Sequence, residues 1–120
     1  MKKNAIKDTS IELALSSIDL YKEMTDQKEY VISKQILKCS TGVGANIHEA
    51  LAAESKKDFI HKLSISLKEA REYEYWLRII EPGDLVSVKT EEVKSQLNSV
   101  IALLTSIIKT SKKNSEMPMF

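Results

Sequence analysis

Few residues of this sequence could carry chemistry: it has one cysteine and two histidines. Asp58 and His61 stand three residues apart, and pairs of acid-x-x-His on facing helices build di-iron centres in helical bundles. No second pair of this kind occurs, so the alternative interpretation is a solvated first turn of a helix. His48 has no other histidine three or four residues away, which is typical of a surface or interface position. We therefore expect no metal and no cofactor.

Nucleophilic catalysis would depend on Cys39. This cysteine has no histidine within one helical turn, and a thiol inside a helix lacks the electropositive, partly exposed setting that activates a thiolate. Its alternative role is a small buried residue. A single cysteine forms no internal disulfide, in agreement with a reducing compartment. The sequence predicts a protein that is not an enzyme.

Gly42 and Gly44 superficially resemble a phosphate-binding loop. The known phosphate loops need the spacing G-x-x-x-x-G-K-[S/T] or G-x-G-x-x-G after a strand, and neither is present. Two interpretations remain. A break at Thr41–Gly44 would give two short helices and an anion-accepting loop, whereas an unbroken helix would use small residues to let another backbone approach closely. The apolar three-and-four spacing continues in phase across both glycines, which favours the unbroken helix.

One group of polar residues lies near small or apolar neighbours on the second and third predicted helices. Its members are Gln35, Ser40, Asn46, Glu49, Lys62, Glu69 and Glu72. Antiparallel packing of the two helices would bring Glu49 near Lys62. The group is either a ligand or nucleotide site or a hydrogen-bond network that fixes helix register. Trp76 is similarly ambiguous between stacking on a base and filling an interface, and its place between Tyr73 and Leu77 favours the interface.

The charge distribution separates the ends of the chain from its middle. The net charge is +1. Residues 1–7 carry +3 and residues 109–120 carry +2, which leaves −4 on residues 8–108. An acidic middle offers no strong field for nucleic acid, so contacts of that kind would be weak and would fall to Lys109, Lys112 and Lys113.

No apolar run approaches the roughly 18 to 20 residues that span a bilayer, and the start of the chain lacks the apolar core of a signal peptide. We therefore expect a cytoplasmic protein without membrane contact. The 120 residues, 42% of them hydrophobic, suffice for a single domain over residues 1–120 with a core of its own. Order is expected over about 6–112. The tail 113–120 should fray, because the apolar period ends after Lys109.

The composition and spacing predict an all-α protein with four helices. They run over about 9–26, 29–53, 55–81 and from Ser87 or Thr90 to Lys109, with capping boxes at Thr9–Glu12 and Ser55–Asp58. Short connections make successive helices antiparallel, which gives an up-down-up-down four-helix bundle. The first helix also carries a second apolar row, Leu13, Leu20 and Met24. An apolar surplus of this kind marks a subunit interface, so we predict a homo-oligomer.

The residues also resemble a known family. The segment from Lys34 to Ala50, KQILKCSTGVGANIHEA, is similar to the four-helix-bundle family related to the protein encoded in intervening sequences of bacterial 23S ribosomal RNA genes. Four further stretches match in order and spacing: Ser55–Phe59, Lys62-Leu63, Leu67–Ala70 and Tyr75–Leu77. The resemblance covers about residues 6–112.

This resemblance implies a non-enzymatic bundle that assembles as a ring-like homopentamer. Other relatives of the family are accessory proteins of diversity-generating retroelements, which bind a reverse transcriptase and nucleic acid through a strongly basic surface. The acidic middle of this sequence departs from that pattern. The matching polar positions are expected to serve as structural or interface residues. These positions are Gln35, Asn46, Glu49, Lys62 and Glu69.

Overall fold

A computed structural model of the protein describes residues 4–116. This part of the chain contains four α-helices and no strand, as predicted. The helices are α1 (Ala5–Asp26), α2 (Ile32–Leu51), α3 (Lys56–Gly83) and α4 (Glu91–Glu116). The predicted fold class, an all-α four-helix bundle, is confirmed.

The first helix begins four residues before the predicted start. The carboxamide oxygen of Asn4 accepts the N–H of Lys7 at 3.2 Å and caps α1. Thr9, which we expected to open a capping box, is already inside the helix, and its hydroxyl donates to the carbonyl of Ala5. The capping-box prediction was wrong here because a better N-cap residue stands upstream, and asparagine is among the strongest N-cap residues.

Glu29, two residues before the N-cap position, holds the start of α2. Its carboxylate accepts three backbone hydrogen bonds. The donors are the N–H groups of Val31, Ile32 and Ser33, at 3.0, 2.9 and 2.7 Å. Burial raises the pKa of Glu29, but these three donors outweigh it and bring the pKa below its ordinary value. The helix therefore begins on a carboxylate that is ionised at neutral pH.

The second helix passes unbroken through Gly42 and Gly44, as predicted, so the anion-accepting loop does not form. The expected reason, close approach of a backbone, was wrong at Gly42. A Cβ atom there would lie 2.9 Å from the carboxylate oxygen of Glu69, a side chain of α3. At Gly44 the added atom would meet Ser10 only at ordinary contact distance, 3.9 Å. Glycine at position 42 leaves room for a carboxylate.

The third helix begins as predicted, with the Ser55 hydroxyl accepting the N–H of Asp58 at 3.0 Å. It ends at Gly83, followed by Asp84 in the left-handed conformation (φ 52°). Thr90 precedes α4, but its buried hydroxyl donates to the Glu81 carboxylate at 3.0 Å and does not act as the predicted cap. The described part of α4 runs on to Glu116, and residues 117–120 of the tail predicted to fray lie outside the described residues.

The contacts between helices show that neighbours run antiparallel. Between α2 and α3, the hydroxyl of Ser66 donates to the carbonyl of Val43, and the ammonium of Lys62 donates to the carboxylate of Glu49. Residue numbers therefore fall along α3 as they rise along α2. Between α1 and α4, Ser16 meets Glu92, and Gln27 just after α1 bonds Ser87 just before α4, so the residue numbers again run in opposite directions. Tyr73 crosses the bundle diagonally from α3, and its hydroxyl lies 2.6 Å from that of Ser17 on α1.

The core corrects one argument for an oligomer. Leu13, Leu20 and Met24 are 0%, 3% and 1% exposed within a single chain, so the second apolar row of α1 is no surplus. Because α1 packs against both α2 and α4, it needs two apolar rows to fill the bundle. The large apolar side chains that α1 does expose are Ile11 and Leu15, which are not part of this row.

The two longer connections, residues 27–31 and 84–90, lie at the same end of the bundle, which we call the loop end. Gln27 ties them together with two hydrogen bonds to Ser87: it donates to the carbonyl at 2.9 Å and accepts the N–H at 2.8 Å. The opposite end holds the start of α1, the turn between α2 and α3, and the last turns of α4. We call it the tail end.

Candidate functional site

The predicted polar group lies along the seam between α2 and α3. Near the tail end, the ammonium of Lys62 donates to the Glu49 carboxylate at 3.0 Å, as the antiparallel packing predicted. The hydrogen bond and the charge of Glu49 raise the pKa of Lys62 above its ordinary value. Both side chains are solvent-accessible, and ion pairs of this kind add little to stability. This pair marks helix register and forms no enclosed site.

Three other members of the predicted group bond within α2 or stand apart from this ion pair. The side-chain amide of Asn46 donates to the carbonyl of Gly42 at 2.8 Å. The buried hydroxyl of Ser40 donates to the carbonyl of Leu37 at 3.1 Å. Gln35 is half-buried, one helical turn before Cys39. The structure therefore does not bring all seven predicted residues into one site.

The seam holds a tighter cluster nearer the loop end, formed by Cys39, Glu69 and Glu72. One donor atom from each, the thiol sulfur and a carboxylate oxygen of each glutamate, lies within 4.8 Å of the others. Cys39 is fully buried, Glu69 half-buried above Gly42, and Glu72 exposed. The indole N–H of Trp76 donates to Glu72 at 3.2 Å. Trp76 itself packs against the core, with its ring edge-on to Tyr75 at 5.0 Å between centroids.

The electrostatics of this Cys39–Glu69–Glu72 cluster keep the thiol protonated. Burial, and then the hydrogen bond and negative charge of Glu72, raise the pKa of Cys39 to about 12. Burial, with the charge of Glu72, also raises the pKa of Glu69. Lys38 opposes both shifts, but only in part. A thiol held between carboxylates has the opposite of the electropositive setting that a catalytic thiolate needs.

The donor set also bears on metal binding. Within residues 4–116, Cys39, Glu69 and Glu72 form the one group of three or more His, Cys, Asp or Glu donors close enough to share an ion. Structural zinc sites use four protein ligands and favour Cys and His. Neither histidine joins the group: His48 lies within hydrogen-bond distance of the carbonyl of Gly44, and His61 is exposed on the first turns of α3. The expected absence of a metal remains a prediction.

Sequence reasoning missed this cluster because it treated Cys39 and the polar group separately. A signal was present. Pairing Glu49 with Lys62 sets the register of α2 against α3, and carrying it ten residues back along α2 places Cys39 opposite residue 72. The same register carried seven residues places Gly42 opposite Glu69, and only the half-buried conformation of the Glu69 side chain could not be derived in this way.

The three lysines proposed for nucleic-acid contacts are ordered on α4. Lys109, Lys112 and Lys113 are all exposed and follow Ile108, the last buried residue of that helix. Their spacing of three and four residues puts them on one helical face. They lie at the tail end, far from the Cys39–Glu69–Glu72 cluster.

Comparison with known proteins places this bundle. The model of the 23S rRNA-intervening sequence protein family matches residues 2–106, which is most of the chain. The chain belongs to that family. A solved structure of a protein of unknown function from the S23 ribosomal protein family of Bacteroides thetaiotaomicron VPI-5482 is 45% identical, with a TM-score of 0.82. The similarity covers 87% of this chain and 98% of the Bacteroides chain.

Two further results bear on this family member. No curated protein matches it. Within residues 4–116, no helix combines the length and apolarity that crossing a bilayer requires. The resemblance read from Lys34–Ala50 and the stretches after it is thus confirmed at the level of the family.

Proposed function

We propose that this member of the 23S rRNA-intervening sequence protein family is a non-enzymatic module that self-assembles into a homo-oligomeric ring, with five copies, and serves in the cytoplasm as a scaffold for other molecules. One observation carries the proposal. Ile11 and Leu15, one turn apart on α1, are 42% and 60% exposed although the core of the single chain is complete without them. Large aliphatic side chains on one helical face are the usual mark of a subunit contact.

Burial of that face would stabilise an assembly. Complete burial of a leucine or isoleucine side chain stabilises by about 1.5–3 kcal/mol. In a ring, every copy would bury its Ile11 and Leu15 against a neighbour. In a closed ring, each copy uses two different patches, one toward each neighbour. A scaffold needs no chemistry of its own, which agrees with a protonated thiol between carboxylates at Cys39.

The mass in solution tests self-assembly. Size-exclusion chromatography with light scattering at tens of micromolar should give about five times the chain mass of 13.6 kDa. Leu15→Asp should lower that mass, because a charge would be buried in the contact. Lys68→Asp, a change of an exposed lysine on α3 away from the face of Ile11 and Leu15, is the matched control and should leave the mass unchanged. A monomer at this concentration would contradict self-assembly, and a dimer or tetramer would contradict the number five.

A second candidate function is a nucleic-acid-binding accessory protein acting with ribosomal RNA or a reverse transcriptase. The lysine face of Lys109, Lys112 and Lys113 favours it. A ring would gather these lysines, so weak contacts would act together. Titration with labelled RNA and DNA should then show weak, sequence-indifferent binding that falls roughly tenfold or more between 50 and 200 mM salt. Changing all three lysines to Gln should abolish it, and tight binding that survives this change would place the contact elsewhere.

A further inference from the structure

The loop end of the bundle presents an apolar surface that the fold holds rigid. Tyr30 and Val31 in one loop and Leu85 in the other are 61%, 71% and 58% exposed. These loops are well anchored. The Glu29 carboxylate fixes the backbone at Val31, and the two bonds from Gln27 to Ser87 join the loops. Three large apolar side chains held in water by anchored loops indicate a contact surface, because flexibility cannot account for their exposure.

The rim of this surface is acidic. Six exposed carboxylates lie on the flanking turns and loops, against three exposed lysines. The carboxylates are Glu23, Asp26, Glu81, Asp84, Glu91 and Glu92, and the lysines are Lys22, Lys28 and Lys89. A partner that fits must therefore combine apolar side chains with positive charge.

The chain itself contains a segment of that kind. Residues 109–120 combine Lys109, Lys112 and Lys113 with the apolar residues Met117, Met119 and Phe120, and carry +2 from their side chains. Methionine adapts to irregular surfaces and packs favourably against aromatic rings such as that of Tyr30. Charge and apolar content thus both complement the loop end.

This segment cannot reach the loop end of its own chain. The 26 residues of α4 begin at the loop end and run away from it, and at 1.5 Å per residue they extend about 39 Å. Residues 117–120 span at most about 14 Å when fully extended. The contact must therefore join two copies.

We propose that residues 109–120 of one copy dock on the loop end of a second copy, with the apolar residues on Tyr30, Val31 and Leu85 and the lysines along the acidic rim. The inference rests on the proposed self-assembly and names one of its contacts. Two different patches meet in it, so the contact closes a ring or stacks one assembly on the next.

A labelled peptide tests the contact directly. A fluorescein-labelled peptide of residues 107–120 is titrated with the full-length protein carrying Met117→Ser, Met119→Ser and Phe120→Ser, whose own tail then no longer competes for the loop end. Polarisation is followed to 500 µM protein. We expect saturable binding that weakens at least threefold between 50 and 200 mM salt. The double variant Val31→Ser/Leu85→Ser should weaken binding at least fivefold. Leu51→Ser is the matched control, because Leu51 is also an exposed leucine but lies at the tail end, outside both the loop end and the face of Ile11 and Leu15. Circular dichroism spectra of each variant check that it is folded.

The outcomes separate this inference from the proposed function. No saturation by 500 µM, or binding that the double variant leaves unchanged, overturns the docking contact. If the full-length protein has the mass of an assembly but the peptide does not bind, the proposed self-assembly is retained and this contact is excluded. A monomeric full-length chain overturns self-assembly itself.

Discussion

Cys39 should react with iodoacetamide at pH 8 about a thousandfold more slowly in the folded protein than in the unfolded chain. An ordinary cysteine has a pKa near 8.5, whereas burial and the carboxylate of Glu72 raise that of Cys39 to about 12. Only the thiolate attacks, and its population at pH 8 falls by roughly three powers of ten. The rate is followed by mass spectrometry, with and without urea.

Two variants show whether the neighbouring carboxylate causes the low reactivity. Glu72→Gln removes the negative charge beside the thiol and leaves only a neutral carbonyl acceptor, so it should speed the reaction of the folded protein. Glu74→Gln is the matched control, because Glu74 lies on the same helix, pairs with Arg71, and is not among the groups that shift the thiol. A folded protein whose Cys39 reacts within tenfold of the unfolded rate would show that the thiol is not held as the structure indicates.

Tyr73→Ala should lower the free energy of unfolding by about 3–5 kcal/mol, the usual loss when a buried aromatic side chain is removed. Tyr73 is fully buried, and its hydroxyl joins α3 to α1 across the bundle. The hydroxyl of Ser17 donates to the carbonyl of Leu13 at 2.7 Å. Tyr73 is therefore the donor in the 2.6 Å hydrogen bond between the two hydroxyls. Urea denaturation followed by circular dichroism measures the change.

The contributions of ring and hydroxyl can be separated. Tyr73→Phe keeps the ring and removes one hydrogen bond, so it should cost only about 1 kcal/mol. Tyr75→Ala is the matched control: Tyr75 is 56% exposed on the same helix and should cost far less than Tyr73→Ala. Similar losses for the two alanine variants would mean that Tyr73 does not anchor the core.

Much of the fold followed from local patterns. The apolar spacing predicted four helices and carried α2 through its glycines, and Ser55 set the start of α3. The start of α1 was missed because several neighbouring residues could cap the helix, and it is Asn4, whose own backbone is extended, that does so. Local patterns predicted the elements well and their boundaries less well.

Features that depend on how the helices pack against one another were harder to predict. The sequence showed that Leu13, Leu20 and Met24 were apolar, but not that α1 has two neighbours to cover both rows. For the polar seam, the helix register gave the ion pair of Glu49 and Lys62, whereas the position of the Glu69 carboxylate above Gly42 follows from a side-chain conformation. Burial of a particular side chain depends on every element around it.

The two hydrogen bonds between Gln27 and Ser87 also bear on the order in which the chain folds. They join residues that are 60 positions apart, whereas α1 with α2, α2 with α3 and α3 with α4 are each neighbours in sequence. Closing a long loop costs more entropy than pairing adjacent helices, so contacts of high sequence separation are gained after the local ones have formed. We therefore expect the link between the loops to form late in folding, when α1 and α4 meet and close the bundle.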